Sequence, residues 1–170
     1  MDNESPYILG ETAAEWPLTG HEVCQQVAID LVAQARRSLC LWSRDLERRV
    51  YDCPEFITAV RILACRSRFS SVRLLVHDPK AVTQHGHRLL ELARRLSSRI
   101  ELRQVATDYQ EYAAAFLIVD EMGLMLRPNA ERYEGFFSFK TPLKAREQHH
   151  FFNEAWDKSQ PHPEFRQLSC

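Results

Sequence analysis

The sequence predicts an α/β fold: one domain built on a mixed β-sheet flanked by helices on both faces. Three observations lead there. Between residues 21 and 105, segments with helical spacing alternate with short apolar runs, the pattern of strands joined by crossover helices. Between residues 116 and 139, three strand-like runs follow one another with only turns between them, which adds antiparallel strands. A chain of 170 residues, 45% hydrophobic and 26% charged, can bury one core, and no linker or internal repeat divides it.

Each element has its own signal. Residues 1–19 hold Gly, Pro, Trp16 and acids without periodicity, and read as an N-terminal arm or irregular edge element; residues 20–170 read as the domain. From His21 to Arg37, Val23, Val27, Leu31 and Val32 or Ala35 recur at helical spacing. Ser38 to Ser43 is a short apolar strand, and Arg44 to Arg49 its exit loop. Pro54 suits a first helical turn, and Phe56, Ile57, Val60, Leu63 and Ala64 carry that helix to about Arg68. Val72 to His77 is a strand, after which Asp78-Pro79 provides an N-cap and first-turn proline for a helix reaching about Ser98. Ile100 to Val105 alternates as a strand, and Phe116 to Val119 is wholly apolar. A turn at Glu121-Met122-Gly123 returns the chain through Leu124 to Arg127, Tyr133 to Phe139 adds a further strand, and Thr141-Pro142 opens a last helix to about Ser159.

The net charge is −1, but it is unevenly spread. Residues 61–103 hold ten Lys or Arg against three Asp or Glu, a local charge of +7 that leaves −8 elsewhere. Such a segment either marks an anion site or solvates a helix face. Five cysteines (Cys24, Cys40, Cys53, Cys65, Cys170) show no C-x-x-C spacing, so neither a zinc site nor a disulfide framework is expected. No apolar run reaches the roughly 18 residues of a membrane span. With an acidic start lacking an apolar signal region, the expectation is a cytoplasmic chain. No cofactor is expected.

The stretch Tyr112-Ala-Ala-Ala-Phe-Leu-Ile-Val-Asp120, its continuation Glu121-Met-Gly-Leu-Met-Leu-Arg127, the closing Phe151-Phe-Asn-Glu-Ala-Trp156, and the strand and loop Leu41-Trp-Ser-Arg-Asp-Leu46 together resemble a phospholipase D-like domain over roughly residues 20–160. The stretch Gly86 to Ser98 is similar to uncharacterised bacterial domains of that superfamily, some fused to acetyltransferases. The resemblance implies an H-x-K-x4-D strand, in which the histidine attacks phosphorus and the lysine neutralises developing charge. Counting back from Asp120, those positions hold Ala113 and Ala115. Where active relatives place Gly-Ser after the aspartate, this chain has Arg127-Pro128. Alanine can neither attack nor donate a hydrogen bond, so the usual phosphodiesterase chemistry is expected to be lost.

Three functions remain open. The first is a non-catalytic binding or regulatory module for a phosphate-bearing ligand such as a nucleotide or nucleic acid, with Arg88, Arg94, Arg95 and Arg127 as gripping groups, since arginine binds phosphate in a bidentate fashion. Arg94 and Arg95 near a helix C-terminus also complement its dipole without any ligand. The second is a hydrolase with a relocated site drawn from His77, Asp78, His87 and Arg127. On a continuous helix from residue 79, His85 packs toward the core and His87 lies on the opposite face. His149-His150 diverge by about 100° on a helix and share no partner. The third is a protein-docking domain or homodimer, because single-motif relatives pair across the sheet edge. Asp120 either belongs to a site or serves as a strand-end turn residue.

Overall fold

Strands covered on both faces must be apolar at every position, and the chain shows this where the sheet is deepest. Each residue of Leu39–Ser43 and Ala115–Val119 is buried, the mark of a strand covered on both faces. The structure is a computed structural model and describes residues 5–165; Cys170 lies outside the described residues. In chain order the elements are β1 (Trp16–Thr19), α1 (His21–Gln34), β2 (Ser38–Ser43), α2 (Arg48–Tyr51), α3 (Pro54–Arg66), β3 (Ser71–Val76), α4 (Pro79–Gln84), α5 (Arg88–Arg95), β4 (Ile100–Gln104), β5 (Ala115–Val119), β6 (Gly123–Arg127), β7 (Glu134–Ser138) and α6 (Pro142–Lys158).

The seven strands form one mixed sheet in the order β1-β7-β6-β5-β2-β3-β4. β2, β3 and β4 are parallel, joined by α3 and by the α4–α5 pair, while β5, β6, β7 and β1 add antiparallel neighbours. Alternation along the strands divides the core. Leu41, Leu74, Leu117 and Val119 face α1, α3 and α5 together with Leu31, Phe56 and Leu63. Trp42, Leu75, Phe116 and Ile118 face α6 with Phe152 and Trp156. The expected mixed sheet with helices on both faces is what forms.

Residues 16–19 take the edge-element alternative of the sequence reading, and one helix departs from that reading for a plain cause. The arm is partly built into the fold: Trp16–Thr19 pairs antiparallel with β7 as an edge strand. Tyr7 stacks on Phe139, and Leu9 N–H donates to the Gln34 side chain on α1 at 2.8 Å. The helix expected from residue 79 to 98 is two helices, because Gly86 sits at φ +73°, a left-handed conformation that terminates α4. Gly135 is needed for another reason: a Cβ there would lie 1.9 Å from the Leu126 carbonyl oxygen on β6. The sheet can close only with glycine at that position.

Candidate functional site at the carboxyl rim of the sheet

In an open α/β sheet, ligands bind where the parallel strands end. Here that carboxyl rim is formed by the ends of β2 and β3, the starts of β5 and β7, and the end of β6. Ala115 starts β5 and is paired in register with Arg127 at the end of β6. Both are buried, at 1% exposure. Ala113 is exposed just before the strand, and its carbonyl accepts from Ala130 N–H at 2.8 Å.

Arg127 is the cation nearest to the two alanines along the strand pair, and it is fully engaged. One terminal nitrogen forms a salt bridge with Glu47. The other donates to the carbonyls of Ala130 and Arg132 at 3.0 and 3.2 Å, and the guanidinium lies over the Tyr133 ring at 5.1 Å. Burial works against its charge, but Glu47 and Tyr51 outweigh that and raise its proton affinity above the ordinary arginine value. Glu47 is itself held: Ser43 Oγ donates to its other oxygen at 2.6 Å while accepting from Leu46 N–H at 2.8 Å. This closed turn places buried Leu46 at φ +55°, an uncommon conformation for a non-glycine residue, which the surrounding bonds hold in place. Below it, burial pushes the Cys24 thiol up to about 11.

The histidines are equally committed. His77 Nε2 accepts from the Trp42 indole at 2.9 Å, and burial together with Arg44 holds the imidazole below its ordinary range. His87 is buried, not on an exposed face as the continuous helix implied; His85, expected toward the core, is exposed. The break at Gly86 resets the helical phase and makes His87 the N-cap of α5. Its Nδ1 accepts from Leu89 N–H at 3.0 Å, so Nε2 carries the hydrogen and donates to the Leu46 carbonyl at 2.8 Å. Burial holds its pKa below the ordinary histidine value. Asp78 caps α4 through Ala81 N–H at 3.2 Å.

The eight sequence candidates therefore do not form one cluster. His87 and Arg127 reach the same Leu46–Glu47 turn, each through a structural bond. Arg88 is exposed at the start of α5 and pairs with Asp52 at 3.6 Å. Arg94 lines a groove of about 410 Å³ beside β4 with Ser97, Glu101 and Phe165. Arg95 is exposed at the far end of α5. Asp120 lies at the opposite, amino rim of the sheet, where its carboxylate accepts from the backbone N–H groups of Arg36, Arg37 and Ser38 at 2.9, 2.8 and 3.0 Å. It is a clamp between the β5–β6 turn and the start of β2. Among the described residues no three His, Cys, Asp or Glu side chains converge to hold a metal ion, and no helix is long and apolar enough to cross a membrane.

Glu47 and Ser43 were missed by sequence reasoning. The available signal was Arg127 itself: a cation on a buried strand demands a counter-ion, and the loop after β2 offers Asp45 and Glu47.

Residues 20–168 match the family model described as a domain of unknown function, DUF7931. The chain belongs to this family. No curated protein matches the sequence. Among solved structures, this DUF7931 domain is similar to the archaeal chromatin protein TrmBL2, with TM-score 0.64 and 16% identity over 95% of this chain; it spans 57% of the TrmBL2 chain. It is also similar to Nuc from Salmonella typhimurium, a phospholipase D family member, with TM-score 0.60 and 12% identity over 88% of this chain and 97% of that one. NucT from Helicobacter pylori matches with TM-score 0.58 and 13% identity, over 88% and 98% of the two chains. The fold is that of phospholipase D-like domains.

Proposed function

We propose that this DUF7931 domain is a non-catalytic phospholipase D-like module that binds a phosphate-bearing polymer, nucleic acid being the favoured ligand. One observation carries the reading. At the rim where a phospholipase D-like strand presents its nucleophile and its cation, this chain has Ala113 and Ala115, and Arg127 beside them is closed against Glu47. Beside Ala113 and Ala115 the strand pair offers a phosphate only Arg127, and recruiting it would strand the Glu47 carboxylate in a buried place at a cost of several kcal/mol. What the domain keeps is a rigid sheet and a surplus of surface arginines. The similarity to TrmBL2, whose structure is described as showing a novel mode of DNA binding, agrees with such a use of the fold.

A hydrolase centred on His77, Asp78, His87 and Arg127 is disfavoured by the same geometry, since each of these side chains already serves a structural partner. The test is fluorescence anisotropy with labelled single- and double-stranded oligonucleotides of unrelated sequence. The expected result is binding that weakens steeply between 50 and 200 mM salt, because counter-ion release dominates phosphate-backbone affinity. No binding at 50 mM salt to any of these oligonucleotides would reject the reading.

A further inference from the structure

We propose that the amino rim of the sheet, the end opposite Ala113 and Ala115, is the surface that grips the phosphate backbone of nucleic acid. This rests on the reading of the domain as a phosphate-polymer binder and adds where the polymer lies. β2, β3 and β4 all begin at this rim, and each is preceded by arginine: Arg36 and Arg37 before β2, Arg66 and Arg68 before β3, Arg95 and Arg99 before β4. Backbone pairing gathers these segments, since Ser71 N–H donates to the Arg37 carbonyl at 2.9 Å and Val72 N–H to the Arg99 carbonyl at 3.3 Å. On the other side, Arg146 in the first turns of α6 lines one hollow of about 460 Å³ with Arg36 and Arg37.

The arginines at the two ends of the sheet differ in what they touch. At the carboxyl rim Arg48 donates to the Gly86 carbonyl, Arg88 pairs with Asp52, Arg127 with Glu47 and Arg132 with Glu134, while Arg44 and Arg49, on the loop that also carries Asp45 and Glu47, are exposed without such a partner among the described residues. At the amino rim Arg36, Arg37, Arg66, Arg95 and Arg146 are exposed, and among the described residues their guanidinium groups have no hydrogen-bond or carboxylate partner. Arg68 lies only over the exposed Phe69 ring, at 4.9 Å. Arg99 is the exception, spent on the carbonyls of Ala64 and Ser67 at 3.1 and 2.8 Å, and that bond draws the α5–β4 connection onto the end of α3.

The acids of this rim are largely occupied as well. Asp120 accepts three backbone N–H groups, Glu121 faces His149 at 3.7 Å, and Glu101 pairs with Arg103 at 2.8 Å. What remains is a row of unpaired cations rather than a pocket. The arginine-bearing starts of β2, β3 and β4 belong to consecutive neighbours, so they span about 10 Å at the usual strand spacing. That is the rise of about three nucleotides at about 3.4 Å each. A single phosphate would fill one hollow; a row of this length fits a polyphosphate backbone, read through charge and not through sequence.

The experiment compares two charge-neutralised variants for binding a 20-base-pair duplex across a salt series. Arg36→Gln/Arg37→Gln/Arg66→Gln/Arg146→Gln removes four amino-rim charges, and Arg44→Gln/Arg49→Gln/Lys80→Gln removes three at the carboxyl rim. All seven side chains are exposed, and unchanged thermal unfolding confirms that each variant is folded; the single variants Arg66→Gln and Arg146→Gln provide graded steps. The amino-rim variant is expected to lose at least about tenfold in affinity at 150 mM salt and about 3–4 from the slope of log K against log salt. The carboxyl-rim variant is expected to stay within about twofold. Loss in the carboxyl-rim variant alone would overturn the placement and leave the phosphate-polymer reading intact. Wild-type binding to anionic phosphatidylserine vesicles but not to the duplex would overturn the inference of a nucleic-acid ligand, and failure to bind either would remove the proposed function with it.

Discussion

Removing one partner of the Arg127–Glu47 pair leaves the other charged and buried. Arg127 is 1% exposed and the Glu47 side chain 10%, so neither can turn to bulk water without moving the Ser43–Glu47 turn. Breaking a buried pair in this way costs about 3–5 kcal/mol. For 170 residues, an unfolding entropy near 2.1 cal/mol/K per residue gives about 0.36 kcal/mol/K, so Arg127→Ala and Glu47→Ala should each lower Tm by roughly 8–14 °C. The double replacement Arg127→Leu/Glu47→Met should be far milder than the two single losses added together, because no charge is left alone. Differential scanning calorimetry of the four proteins measures this directly. A single-variant shift below about 2 °C, or a double variant whose loss equals the sum, would refute the view that this pair closes the vacated site.

Other consequences are simpler. Asp120→Ala should cost about 1–2 kcal/mol by chemical denaturation, since it removes the acceptor of three backbone N–H groups and places alanine at φ +53°; Asp120→Asn, which tolerates that conformation and keeps one acceptor, should cost less. His87 is held by burial below its ordinary value of 6.5, so the unfolded chain binds the proton first. Its contribution is complete above about pH 6.5 and is lost as pH falls through that value toward the folded-state pKa. His87→Asn, which retains an N-cap, should flatten the slope of stability against pH between 7 and 5 in urea titrations. Ala115→Lys should destabilise the fold, because it sets a second cation opposite Arg127 at a site 1% exposed; a thermal shift assay reads the loss, and a variant as stable as wild type would argue against that register.

Most of the fold was legible because its signals are local. Apolar runs at 38–43, 72–77 and 116–119 and the Pro54, Pro79 and Pro142 helix starts lie within two residues of the observed elements. The misreading at His85 and His87 came from one glycine, because a left-handed residue at 86 is invisible to a helical wheel carried across it. Ala113 and Ala115 were readable by counting back from Asp120, but the partners of that strand were not. Arg127 finds Glu47 across 80 residues, and Asp120 finds the α1–β2 connection across more than 80, through sheet pairing that no periodicity encodes. The arginines illustrate the same limit. The excess at residues 61–103 was visible as composition, yet only the sheet shows that Arg88 faces one rim and Arg95 the other.

The proposed loss of phosphodiester chemistry from a scaffold that keeps its shape is open to measurement. It is tested most directly by incubating purified protein with bis(4-nitrophenyl) phosphate, and with plasmid DNA, across pH 5 to 9. Rates equal to the buffer blank and to those of His77→Ala are expected. Hydrolysis that scales with protein concentration and disappears in His77→Ala or His87→Asn would contradict it.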